Sequence, residues 1–163
     1  LTRLILPLVL GVLAVYVFWF IPNYFWRPFQ EREILIVYNA TIMAVLALLA
    51  VALTSPDEGR SAAQDAVLRY ALLAVGALTL LLNAYSLAAI ADRTLQLGLT
   101  PNRYAVFGWN IATLLMLAGI TFKLWRADQA WWVDAVRKSV ARLMVPAIVW
   151  ALWVLLILPL SFD

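Results

Sequence analysis

The chain contains no histidine and no cysteine. Those absences exclude His-ligated haem, the usual zinc sites, disulfides, thiol chemistry and serine–histidine catalysis. They also leave the redox compartment unread. Charge is scarce as well: 13% of the 163 residues are Asp, Glu, Lys or Arg, against about a quarter in a soluble domain. Neither a GxxxxGK[ST] nor a GxGxxG run occurs, so no loop is built to cradle phosphates.

Apolar residues fill the space, at 66% of the chain with a mean hydropathy of +0.92. The charges leave five uncharged runs, residues 4–26, 34–56, 70–91, 104–122 and 143–162. Each is close to the roughly 20 residues a helix needs to cross a bilayer. The pattern predicts an all-α polytopic membrane protein, one transmembrane helical domain over 1–163. Its spans are expected at about 4–26, 34–54, 68–91, 102–124 and 142–161, with an interfacial amphipathic helix at 128–141. The first run is not expected to be a signal peptide, because bulky aromatic residues follow it rather than a small-residue cleavage site. A start at Leu1 rather than Met suggests a segment of a longer protein.

Span one ends in a dense aromatic patch, Tyr16, Phe18, Trp19, Phe20, Tyr24, Phe25 and Trp26, before Pro22 and Pro28 break the helix. Rings with a polar edge concentrate where hydrocarbon meets headgroups, so Trp19 and Trp26 are expected as interfacial anchors. Trp131 and Trp132 are expected to play the same part at the start of the amphipathic segment. There Val133, Val136, Val140 and Leu143 share one face, away from Asp134, Arg137, Lys138 and Arg142. The basic side suits anionic headgroups; nucleic acid is a poor partner for a segment tethered between two spans. In span two, Ala40, Ala44 and Ala47 form a small-residue face that suggests a close helix neighbour. Pro56 and Gly59 mark the polar loop that follows, and Ser61 with Gln64 has the form of a capping box.

Span three carries a polar stripe of Gly76, Thr79, Asn83 and Ser86 on one face. In lipid such groups must meet another helix or a wet cavity, and interhelical hydrogen bonding is the favoured reading. Span four repeats the theme with Gly108 and Ala112 on one face and Asn110 and Thr113 on another. No acid or base lies at mid-depth in any span, which argues against a proton relay.

Lys and Arg counts set the orientation. Arg3, Arg60, Arg69, Lys123, Arg126, Arg137, Lys138 and Arg142 fall on one side, and Arg27, Arg32, Arg93 and Arg103 on the other. The richer side is expected to be cytoplasmic, with the N-terminus and the 122–142 loop inside and the C-terminus outside a bacterial inner membrane.

Residues 92–104 join spans three and four. Gly98 can end a helix in the left-handed conformation, Thr100 is a good N-cap and Pro101 suits the first helical position. Arg93 agrees with the helix dipole, but Arg103, in the first turn of span four, does not. Arg103 therefore needs an anion: Asp92 across the turn, a lipid phosphate or a partner's carboxylate. Arg93, Arg103, Asp92 and Asn102 are the candidate anion, lipid or partner contacts.

Arg93, the run Gly98-Leu99-Thr100-Pro101-Asn102-Arg103-Tyr104 and the following Trp109 resemble the hallmark of a bacterial multi-pass membrane family, domain of unknown function 4153. Pro7-Leu8, opening an upstream helix, also fits. The likeness is strongest over residues 90–110; Leu97 and Gln96 depart from the Tyr and frequent Glu expected there. It implies the C-terminal half of a longer multi-span protein and brings no activity with it.

Two functions compete. A non-catalytic accessory or structural subunit of a larger membrane complex, in a respiratory or photosynthetic host, is expected from the small-residue faces, the eight Trp and the missing catalytic residue types. The alternative is a transporter or a lipid- or anion-handling protein using Arg93 and Arg103 with Thr79, Asn83 and Ser86. Two guanidinium groups at one membrane face suit a phosphate or carboxylate. An enzyme is not expected, since Asp92, Asp128 and Asp134 form no evident pair. No cofactor or metal is expected; the partners are membrane lipids, bound phospholipid included, and other membrane subunits.

Overall fold

The computed structural model describes residues 2–54, 61–127 and 132–158. Trp131, Asp128, the Pro56–Gly59 turn and residues 159–163 lie outside the described residues, as do the side chains of Arg3, Asp134 and Leu143. The described secondary structure is all helical: α1 (Thr2–Val15), a π-helical turn (Tyr16–Phe20), α2 (Ile21–Asn23), α3 (Arg27–Gln30), α4 (Arg32–Thr54), α5 (Ala62–Leu97), α6 (Pro101–Arg126) and α7 (Trp132–Leu156).

Among the described residues, four helical segments are long and apolar enough to span a membrane: Ile5–Asn23, Arg32–Ala52, Ala62–Leu97 and Pro101–Arg126. Of the fifth expected span, the described residues show an apolar helical stretch, Met144–Leu156. It is the second half of α7, which runs unbroken through Pro146 from the amphipathic residues at its start. The expected interfacial helix and last span are thus one helix. In its first half Val136 is buried while Arg137, Lys138 and Arg142 are exposed.

Pro22 does not end the first helix outright. A proline ring clashes with the carbonyl four residues back, and here the preceding turn widens, with the Ile21 N–H donating to the Tyr16 carbonyl. The helix then stops at Asn23, and Pro28 sits buried in the first turn of α3. The aromatic patch divides. Phe18, Trp19 and Trp26 point outward, whereas Phe25 and Phe29 pack on Tyr85 of α5 at ring separations of 5.3 and 5.9 Å.

Helix α5 is the hub, packed by α1, α3, α4 and α6. Its 36 residues make a rod about 54 Å long, longer than a bilayer is thick. It starts on the expected capping box, with Ser61 Oγ accepting from the Gln64 N–H and Gln64 Oε1 from the Ser61 N–H, each at 3.3 Å. Arg69 then reaches across to α6: Nε donates to the Leu124 carbonyl at 2.9 Å, and Nη2 to those of Trp125 and Ala127 at 3.1 and 2.6 Å. A cation is thereby placed at a helix C-terminus, on carbonyls that have no partner within the helix.

Two expectations are corrected. Ala40, Ala44 and Ala47 are exposed rather than packed against a neighbouring helix. The buried face of α4 is instead Leu35, Tyr38, Ile42, Val45, Leu49 and Ala52, because larger side chains at that regular spacing fill the groove beside α1 and α5 with more dispersion contact. Trp132 is no interfacial anchor: it is 3% exposed and belongs to the core with Val136.

Candidate functional site

The turn between α5 and α6 builds one wall of a cavity. Gly98 ends α5 with φ +79° and ψ 165°, a region essentially open only to glycine, though extended rather than the left-handed helical one expected. Thr100 caps α6, its hydroxyl accepting from the Arg103 N–H at 3.3 Å, with Pro101 in the first turn. Arg103 folds back so that Nη1 donates to the Gly98 carbonyl at 2.7 Å. Asp92 instead accepts from Gln96 Nε2 at 2.7 Å. Among the described residues no ion pair joins Asp92 to Arg103, so the acid leaves the candidate contact set. A carbonyl uses one of the five donors of a guanidinium and neutralises none of its charge.

The cavity encloses about 800 Å³ between α4, the end of α5, the start of α6 and the second half of α7. Arg32, Arg93 and Arg103 line it together with Asn102, Asn39 and Thr100. No acidic residue is among the described residues lining it. Arg93 is steadied by Nη1 donating to the Gln30 carbonyl at 3.4 Å. The apolar wall is Leu35, Ile36, Met43, Trp109, Trp150 and Leu155. Trp150 is set by a notch in α6: a Cβ on Gly108 would fall within the Trp150 ring, and the indole N–H donates to the Ala105 carbonyl at 3.2 Å. Gly108 thus serves the cavity wall.

Behind this wall the polar stripe is plugged. Thr79, Asn83 and Ser86 are fully buried in the bundle and do not line the cavity. Asn83 Nδ2 donates to Thr113 Oγ1 at 2.8 Å, Thr113 Oγ1 to the Asn110 carbonyl at 3.0 Å, and Asn110 Nδ2 to Asn39 Oδ1 at 2.7 Å. A chain of polar groups therefore connects the stripe to Asn39 at the cavity. Asn83 Oδ1, Ser86 Oγ and Asn110 Oδ1 are buried without a protein partner among the described residues.

Of the expected contacts, Arg93, Asn102 and Arg103 come together and Asp92 does not. Arg32, Asn39 and Trp150 were not expected there. The signal for the first two lay in α4, where Arg32, Leu35, Ile36, Asn39, Ala40 and Met43 follow one helical face.

Fold and cavity define the class: an all-helical membrane protein with an arginine-lined pocket at one end of its bundle. Compared with family models, curated proteins and solved structures, the chain finds no match. The resemblance over residues 90–110 therefore rests on its motif residues alone.

Proposed function

We propose that the protein binds and handles an anionic group at this cavity, as a lipid- or anion-handling protein of a bacterial inner membrane with the arginine end outside. One observation carries the reading: Arg32, Arg93 and Arg103 line a cavity of about 800 Å³, and no carboxylate among the described residues lines it with them. Like charges gathered this way repel, and the cluster is best stabilised by a ligand that brings negative charge. Guanidinium forks match phosphate and carboxylate geometry, and Asn102 and Thr100 add neutral hydrogen-bonding groups. The role is binding or transfer rather than catalysis, in keeping with a chain without His or Cys.

The accessory-subunit reading is favoured by a different observation, the plugged stripe of α5, whose polar groups serve helix packing. One experiment separates the two. The chain is purified in mild detergent, and everything that stays with it is identified by mass spectrometry. Retention of an anionic lipid or small anion, lost on Arg93→Gln with Arg103→Gln, supports the proposal. Stoichiometric protein partners without such a ligand overturn it in favour of the subunit.

A further inference from the structure

Building on that reading, we propose that the ligand is an anionic lipid lacking an ammonium group, and that it enters sideways from the bilayer between α4 and α7. The headgroup sits on Arg32, Arg93 and Arg103, and an acyl chain lies along the apolar wall.

The first ground is depth. Arg32 and Met43 both line the cavity, and they lie eleven helical steps apart, about 16 Å along α4. That is about the depth of one hydrocarbon leaflet. A free phosphate or carboxylate needs only the arginine end and leaves the rest of the cavity as apolar wall without a partner.

The second ground is exposure. Ile36, Met43 and Leu155 line the cavity and are 57%, 44% and 71% exposed, so its apolar wall is open rather than sealed inside the bundle. Once α4 and α7 stand in a bilayer, this open wall meets lipid tails. A ligand with a tail can slide in without carrying its apolar part through water.

The third ground is sign. With three guanidinium groups and no carboxylate among the described lining residues, an ethanolamine or choline ammonium would be placed beside like charge, unpaired. A glycerol or bare phosphate headgroup avoids this repulsion. One charge-assisted pairing in a partly dry site sets the expected preference at about tenfold.

The full chain is reconstituted in phosphatidylcholine nanodiscs containing minor phosphatidylglycerol and phosphatidylethanolamine, and retained lipid is counted by native mass spectrometry. Phosphate binding is followed in parallel by calorimetry in neutral detergent. The expected result is phosphatidylglycerol retained about tenfold over both other lipids. That preference should fall on Arg93→Gln with Arg103→Gln. It should fall equally on Ile36→Trp or Leu155→Trp, which fill the apolar wall from lipid-exposed positions and leave every arginine in place. Equal retention of the three lipids overturns the headgroup preference. Saturable phosphate binding that needs the arginines but ignores Ile36→Trp and Leu155→Trp overturns the lipid inference while leaving the anion reading standing. Binding of neither phosphate nor phosphatidylglycerol removes the anion reading itself.

Discussion

Gly108→Ala adds one methyl group to α6 where Trp150 of α7 packs against the helix. In an exposed helix the change favours folding by about 1 kcal/mol, since alanine loses less backbone freedom than glycine. Here three atoms of the Trp150 ring stand well inside ordinary contact distance of the added carbon. The ring must withdraw, at an overpacking cost of about 1–3 kcal/mol. Its N–H bond to the Ala105 carbonyl goes with it, worth about 1 kcal/mol. Set against the helix gain, the net is a loss of about 1–3 kcal/mol. Reversible unfolding in mixed micelles gives the number. The paired variant Trp150→Ala gives the cause, because on that background Gly108→Ala should become neutral or stabilising. A single Gly108→Ala chain as stable as the parent, or more so, refutes the notch.

Further outcomes follow from the joints of the bundle. Arg69→Ala strips three carbonyls at the end of α6 and should cost about 2–3 kcal/mol in the same unfolding assay, with Arg69→Lys losing less. A loss equal to that of exposed Arg142→Ala contradicts the clamp. Gly98→Ala forces a Cβ onto φ +79° and should cost about 1–3 kcal/mol; an unchanged midpoint counts against that strain. Asn83→Ala removes its bond to Thr113 and should cost only about 0.6 kcal/mol, the average for such bonds in lipid. A loss several times larger would mean the buried network has a role beyond packing.

Much of the fold was legible because membranes impose simple rules. Charge-free runs of bilayer length marked the helices, and Ser61 with Gln64 and Gly98 with Thr100 and Pro101 marked where they start and stop, since those signals are local. What packs against what was not. Ala40, Ala44 and Ala47 share a helical face just as Leu35, Tyr38 and Ile42 do, and only the shape of the groove beside α5 decides which is buried. Trp132 looks like an anchor by type, yet it is held in the core once α7 lies against the bundle. At the site, Arg93 and Arg103 stood out because they flank one short turn, with Arg103 set against its helix dipole. Arg32 and Trp150 reach the same cavity from distant parts of the chain, and no periodicity brings them together. Asp92 was the natural partner for Arg103 by proximity in sequence, but Gln96, one turn on along α5, holds it instead.

The most direct measurement is an experimental density map of the chain in nanodiscs rich in phosphatidylglycerol, examined at Arg32, Arg93 and Arg103. The expected result is a compact anionic headgroup within hydrogen-bond distance of at least two of these guanidinium groups, with tail density running toward Met43. A cavity closed by its own side chains, or an acidic side chain of a neighbouring subunit seated on the arginines, would contradict it.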